Sequence, residues 1–371
     1  MFARWVNYTP PVQPLPVEAT STLLVVRLGA LGDILRTLPA VRLIRAGLPR
    51  ASIHWLVDDR WQTALKGLPE LDGIVAVPRR AWQRQLRTPA GWPAWIGSLR
   101  RLRRELRSLG ADLLLDFHGN LRSGLLGRLS AAPLRLGYSG HQAKEANAWF
   151  TTHRVPSGSR RTPRIERNLD LVRALGLPDA PLPLGNLPLA EQGRAKAATI
   201  LAALPLPAAG HAVINPGSSS AQAYKRPPAE LLAAAAEAIE RRGLLPLVVW
   251  GPGEEGEARR VVELSGGRAT FAPPTDLETL AALIEGAALF VSGDSGPLHM
   301  ACLLGRPVVA LYGATDPQVN GPWGGPSRAV FPDRPYSGIK RQDREGPGLE
   351  AVAPEQLTAA VGSLLDECAG G

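Results

Sequence analysis

Short apolar runs bounded by turn residues alternate along this chain with longer stretches of helical periodicity. Residues 23–27 form the first run, which ends at Gly29, and residues 31–48 then carry apolar side chains at helical spacing as far as Pro49. This pattern predicts strand, tight turn, helix. The alternation continues with strands predicted at 53–57 and 74–77, an arginine-rich helix over 95–109, a strand at 113–117 and a helix from Leu121. Strands alternating with helices predict a parallel sheet covered on both faces. Over 176–210 the chain turns rich in Pro, Gly and Ala, with one helix predicted at 189–204, and the interdomain linker is placed here. A second series follows, with strands at 212–215, 246–250, 289–292 and 308–312 and helices at 229–242 and 254–264. The fold class is therefore α/β, with two Rossmann-like parallel-sheet domains facing across a cleft. In such open sheets ligands bind beyond the carboxyl ends of the strands, so candidate chemistry is sought there.

A chain of 371 residues fits two such domains. Its 45% hydrophobic and 20% charged residues are those of a globular protein, and no run of eighteen uncharged apolar residues could span a bilayer. The first 22 residues hold prolines but no apolar signal core, so they read as a loose tail and the expected location is the cytoplasm. Cys302 and Cys368 lie outside any metal-binding spacing, which predicts free thiols, no zinc site and no disulfide. The net charge of +9 is unevenly spread. Arg79, Arg80, Arg84, Arg87, Arg100, Arg101, Arg103, Arg104 and Arg107 fall in one stretch whose only acid is Glu105. Such a stretch is either a solvated helix face or the mark of a polyanionic partner: nucleic acid, an anionic membrane face or a phosphorylated substrate.

Four post-strand segments carry the candidate chemistry. Leu28-Gly29-Ala30-Leu31-Gly32-Asp33 allows a tight turn and close ligand approach, with Asp33 in the first turn of the helix as either a cap or a general base. It matches neither the dinucleotide glycine spacing nor a Walker A loop. Asn215-Pro216-Gly217-Ser218-Ser219-Ser220, followed by Lys225 and Arg226, offers backbone N–H groups, hydroxyls and positive charge suited to a diphosphate. Trp250-Gly251-Pro252-Gly253 leads into Glu254 and Glu255, either of which could cap a helix or accept ribose hydroxyls. In the segment 291–301, Asp294 or Ser295 can cap, Pro297 suits a first helical turn, and His299 shares a face with Ser295 and Gly296. Its Gly-Asp-Ser-Gly-Pro echoes the nucleophile loop of trypsin-like proteases, but the alternating strand–helix context excludes that all-β reading.

In this order and spacing the four motifs resemble the ADP-heptose lipopolysaccharide heptosyltransferases, glycosyltransferase family 9, over residues 23–365. The resemblance implies a GT-B fold, inversion at the anomeric carbon and no metal or other cofactor, and the chain has no Asp-x-Asp. Asp33 matches the family's proposed general base, with Gly32 beside it on the acceptor side. Lys225, with Ser218 and Ser219, matches the donor-phosphate lysine segment. Asp294, Ser295, Gly296, Pro297 and His299 match the segment holding donor diphosphate and sugar, and Thr275 a backbone position near the adenine. Asp116, Gly119 and Arg122 resemble an acceptor-side segment. Three departures stand out: Pro227 replaces the family's usual Trp, the ribose acid is Glu254 or Glu255, and residues 344–352 lack the cysteine often found there.

The resemblance implies transfer of heptose from ADP-heptose to a Kdo or heptose of the lipopolysaccharide inner core. The expected partners are a nucleotide-sugar donor, a lipid-linked phosphorylated glycan, and an anionic inner-membrane surface met through residues 79–107. The expected organisation is a tail (1–22), an acceptor-binding domain (23–188), a nucleotide-sugar-binding domain (189–350) and a C-terminal helix (351–371), for which packing back on the N-terminal domain is one placement. Peripheral attachment to the cytoplasmic face of the inner membrane follows as an expectation. The nearest rival is the same fold with a UDP- or GDP-sugar or another glycan acceptor. A rival of another class is a non-catalytic nucleotide-sugar or nucleic-acid binding protein. Nucleic acid is not the expected partner, since no aromatic-rich recognition motif accompanies the arginines.

Overall fold

The computed structural model describes residues 21–156, 158–177, 181, 183–185, 187–188, 191–313, 315–332 and 348–370. The expected tail lies outside the described residues up to position 20, as do residues 344–347 of the stretch lacking the family cysteine. Contacts gather the chain into two compact units. The first comprises the described residues of 21–29, 37–65 and 69–183; the second comprises 30–36, 66–68 and those from 184 onwards.

In the first unit, β1 (Thr22–Val26), β2 (Ser52–Asp58), β3 (Gly73–Val77), β4 (Leu113–Asp116), β5 (Leu134–Tyr138) and β6 (His153–Val155) form one parallel sheet in the order β3-β2-β1-β4-β5-β6. β1 lies centrally, with Leu23 opposite Ile53 on one side and Leu113 on the other. Its Leu and Val side chains are buried on both faces, which is why it reads as a continuous apolar run. The helices are α1 (Leu31–Gly47), α2 (Arg79–Gln85), α3 (Trp92–Ser108), α4 (Leu121–Arg128) and α5 (Arg164–Arg173). Leu102 and Leu106 of α3, one turn apart, join Leu126 of α4 in a core with Leu24, Val26 and Leu114. α1 tolerates Pro39 in its interior because burial of Val41 and Ile44 outweighs one missing backbone hydrogen bond.

The second unit holds α6 (Glu191–Ala202), β7 (His211–Asn215), α7 (Ala229–Glu240), β8 (Leu245–Val248), α8 (Glu255–Leu264), β9 (Thr270–Phe271), α9 (Leu277–Glu285), β10 (Leu289–Gly293), α10 (Gly296–Leu303), β11 (Val308–Leu311), α11 (Pro317–Asn320), β12 (Ser327–Val330) and α12 (Pro354–Ala369). Its parallel sheet runs β12-β11-β10-β7-β8-β9. Read from the β9 edge, this is the connectivity of the first sheet. Each unit therefore has the doubly wound topology, with the chain reversing direction between β1 and β4 and between β7 and β10, where ligand crevices form at the carboxyl ends.

The placement of the C-terminal helix back on the N-terminal domain is corrected. Leu357, Val361, Leu364 and Leu365 of α12 are buried in one core with Leu231 and Leu232 of α7 and Val309 and Leu311 of β11. Its apolar face is thus committed to the second unit. Elements not foreseen from the pattern are mostly short or polar: β5 interleaves arginine and glycine, β9 has two residues, and the edge strand β12 reads Ser-Arg-Ala-Val.

Candidate active site

At the reversal point of the second sheet, Asn215 closes β7 beside Ser292 of β10. Its amide nitrogen donates to Ser292 Oγ at 2.9 Å and Gly217 O at 3.1 Å, and reaches Ser295 Oγ at 3.3 Å. Ser292 and Ser295 hydroxyls lie 3.0 Å apart, and Ser295 accepts from Leu298 N as the N-cap of α10. This buried network ties the β7 loop to the start of α10. Gly293 completes it: a Cβ there would lie 2.5 Å from Lys225 O, so only glycine lets the lysine loop cross the end of β10. Asn215 stood in the motif but was not singled out for a role, because a post-strand Asn looks like ordinary turn chemistry until its cross-strand partners are known.

That crossing brings Lys225 Nζ to 2.8 Å from Asp294 Oδ2, with both side chains largely buried. His299 Nε2 is 3.6 Å from the other carboxylate oxygen. Burial drives the Asp294 pKa upward, but His299 and the charges of Lys225 and Arg36 outweigh it, so the carboxyl stays well below the usual range. Burial first, then the positive charge of Arg36, pushes His299 down to about 4 against the opposing pull of Asp294 and Asp33. The ring is therefore neutral at physiological pH, and neither buried ring nitrogen has a hydrogen-bond partner among the described residues.

The Gly32 turn belongs to the same cluster. A Cβ on Gly32 would lie 2.7 Å from His299 Cδ2, and one on Gly296 would lie 3.1 Å from Leu31 Cδ2. Two helix N-termini, those of α1 and α10, thus approach through glycines. Asp33 in the first turn of α1 accepts from Arg36 Nη2 at 2.9 Å, and Arg36 also donates to Gly32 O at 3.3 Å. Gly32, Asp33, Lys225, Asp294, Ser295, Gly296, Pro297 and His299 are consequently brought together.

Other expected donor residues divide. Glu254, the N-cap position of α8, accepts from Gly251 N at 3.0 Å and lies over Gly217, where a Cβ would meet its carboxylate; burial pushes its carboxyl upward. Glu255 points to solvent and pairs with Arg259 at 2.7 Å. Of the two acids, Glu254 is the one turned towards the β7 loop. Ser218 donates to Gln222 O at 2.9 Å and shapes that loop, while Ser219 is exposed. Thr275 is half-buried beyond β9, beside Asp276, which caps α9. Pro227 lines a cavity of about 300 Å3 with Pro216, Ala229 and the α8 residues Glu257, Arg260 and Val261.

In the first unit Asp116 has a scaffold position. It is 1% exposed, and its carboxylate accepts from His118 N, Gly119 N, Ser123 Oγ and Asn147 Nδ2 at 2.7–3.0 Å. Four donors fill the lone pairs of its two oxygens. Gly119 serves the same loop: its φ is +71° and a Cβ would lie 2.6 Å from Gln142 O. Arg122 Nη2 and Arg79 Nη1 both reach Asp58 Oδ2, at 3.2 and 3.0 Å, while both guanidiniums keep solvent access. Arg79 and Asp58 were not among the expected acceptor-side residues. Three separate strand ends supply this group, and nothing in their spacing announces it.

Two doubly wound parallel-sheet units, with a carboxylate turn and a lysine–aspartate–histidine cluster around one helix start, define an α/β protein of the GT-B type. The chain belongs to glycosyltransferase family 9 (heptosyltransferase), whose model matches residues 99–347, and it is a transferase enzyme. It is 26% identical over 305 residues to lipopolysaccharide heptosyltransferase 1 of Escherichia coli K12, covering 81% of this chain and 91% of that one. Its fold is similar to that of the family 9 glycosyltransferase of Veillonella parvula DSM 2008 (24% identity, TM-score 0.80, 94% and 98% of the two chains). It is also similar to that of E. coli heptosyltransferase WaaC solved with ADP-2-deoxy-2-fluoro heptose (22% identity, TM-score 0.67, 93% and 99%).

Replacing Asp116 by Ala should strand four donors and lower the unfolding free energy by roughly 3 kcal/mol; urea denaturation measures it, and a loss under about 1 kcal/mol would remove Asp116 as the loop's anchor. For His299 the sign follows from its depressed pKa. The unfolded ring takes up a proton near its ordinary 6.5 and the buried ring only near 4, so stability is complete above 6.5 and falls as pH drops towards 4. Asp294 acts below that window, because its folded carboxyl holds its charge to still lower pH. His299→Gln should flatten the stability profile in the His299 window, and an unchanged slope in urea titrations would show that the ring titrates freely.

Proposed function

We propose that this chain is an inverting enzyme transferring heptose from ADP-heptose to the inner core of lipopolysaccharide. Asp33 acts as general base, and the Lys225–Asp294–His299 cluster with the start of α10 receives the donor diphosphate. The observation that carries this reading is the seating of the Gly32 turn on His299, which joins the base-bearing turn to the phosphate-suited cluster. Family membership and the heptosyltransferase relatives support heptose, and the fluoro-heptose complex of WaaC motivates an ADP donor.

The reaction is a single in-line displacement. The acceptor hydroxyl oxygen attacks the anomeric carbon and its proton passes to the Asp33 carboxylate. The carbon–oxygen bond to the diphosphate breaks, and the electron pair leaves with ADP. Lys225 spends one of its three N–H donors on Asp294 and keeps two for the leaving group. The backbone N–H groups opening α10 add to them, so charge on the leaving oxygen is met by fixed dipoles and one ammonium without a cofactor. Neutral His299 supplies a hydrogen-bonding ring. Glu254 accepts from the ribose, and Thr275 lies on the adenine side. Arg122 and Arg79 offer charge to a phosphorylated, lipid-linked acceptor.

The partner beyond these substrates is the anionic cytoplasmic face of the inner membrane, met through residues 79–107. Among the described residues no helix is long and apolar enough to cross a membrane, so attachment in this reading is peripheral.

Asp33→Asn should cut turnover about 10²-fold or more while donor affinity changes little. Near-normal turnover measured with purified acceptor would remove Asp33 from the mechanism. The rival donors separate by calorimetry: ADP should bind at least about tenfold more tightly than UDP or GDP, and a preference for either of the latter would reassign the donor.

A further inference from the structure

The turn between α2 and α3 exposes an apolar group beside the arginines. Leu86 caps α2 at 49% exposure, and Trp92 and Ile96 open α3 at 53% and 40%. They are held out by a rigid base. Trp82 of α2 donates to Ser98 Oγ of α3 at 2.8 Å and meets Trp95 edge-on, with ring centroids 6.4 Å apart. These two tryptophans and Leu102 and Leu106 take up the inner face of α3.

The outer face sorts by helical spacing. Trp92, Ile96, Arg100, Arg103 or Arg104, and Arg107 recur every three or four residues and so share one stripe, with the apolar pair at the N-terminal end. Glu105, the one acid of the stretch, falls on the other flank of the solvent face. α3 ends just before β4 begins, so its first turn points back to the carboxyl-end rim of the first sheet. α4, packed on the same core, starts at that rim and exposes Leu121 and Leu125. Apolar side chains at a rim with a row of arginines behind them match a bilayer interface, where indole and aliphatic groups enter the headgroup region and guanidiniums meet lipid phosphates. A solvated helix face explains the arginines but leaves the exposed Trp and Ile without a role.

We infer that the α2–α3 turn of this chain is a membrane-inserting edge: Leu86, Trp92 and Ile96 enter an anionic lipid surface while the arginine stripe of α3 lies on its headgroups. This rests on the proposed membrane partner and adds that charge alone does not hold the protein there. Apolar insertion survives salt, whereas pure headgroup attraction is screened within about 10 Å at moderate ionic strength.

The test is co-sedimentation of the full chain with vesicles of phosphatidylethanolamine and phosphatidylglycerol, at low and high salt, with phosphatidylcholine vesicles and RNA as comparisons. Wild type should bind the anionic vesicles and retain part of that binding at high salt. The triple variant L86S/W92S/I96S should bind about tenfold more weakly at low salt. It should lose the salt-resistant part, keep its unfolding midpoint and transfer normally to a delipidated, soluble acceptor. R100Q/R104Q/R107Q should instead lose the salt-sensitive part. If the triple variant binds like wild type, the insertion is wrong and the arginine reading stands. If wild type binds no anionic vesicle, or prefers RNA, the membrane reading fails with it.

Discussion

A buried carboxylate holds the strand ends of the second unit in register. Asp294 stands at the mouth of α10, in a place where an uncompensated charge would cost several kcal/mol. It is compensated by Lys225, which arrives from the β7 loop, while the neutral ring of His299 lies beside it from one turn further along α10. Lys225 and Asp294 belong to different segments, so pairing them fixes the loop against the helix. Gly293 and Asn215 are read in the same light, one leaving room for the lysine loop to cross and the other tying the ends of β7 and β10 together.

The same pairing limits what the cluster can do. Lys225 is already half of an ion pair, so in the proposed role it would meet a diphosphate as a shared ammonium, and the local charge before a ligand arrives is close to neutral. His299 adds no charge at physiological pH, since burial and Arg36 hold it at about 4. Arg36 is likewise paired with Asp33 at 2.9 Å, so attraction for an anion would come largely from oriented N–H groups, and such dipoles do not need to reorganise as charge builds on a leaving group.

Much of this was legible from residues alone, and the limits are physical. The strand–helix alternation and the post-strand position of each motif follow from local periodicity, and they led directly to Asp33, Lys225, Asp294 and His299. The scaffold bonds of Asp116 were not legible, because a post-strand acid looks the same in sequence whether or not four donors of its own loop and of Asn147 surround it. Glu254 and Glu255 were indistinguishable for a related reason: adjacent helical residues point about 100° apart, and only the packing of the β7 loop selects one. Asp58 with Arg79 and Arg122 was invisible because its three members come from β2, the start of α2 and the start of α4. The C-terminal helix was recognised as a helix, but nothing in its apolar stripe says which core it completes.

The approach of α1 to α10 carries one more consequence. Each helix N-terminus bears about half a positive charge, and two of them brought together through Gly32 and Gly296 repel. Side chains of opposite sign are the available remedy: Asp33 sits in the first turn of α1, and Asp294 immediately precedes Ser295, the N-cap of α10. A diphosphate bound there, as proposed, would relieve the same repulsion, so its binding and the positions of the two aspartates would be linked through one field. Asp33 is then part of the electrostatic balance of the cluster as well as its proposed base. Substituting it with a neutral isostere leaves two helix ends with less negative charge, which favours an anionic ligand. That is why removal of the base should leave donor affinity unharmed while removing the acceptor for the proton.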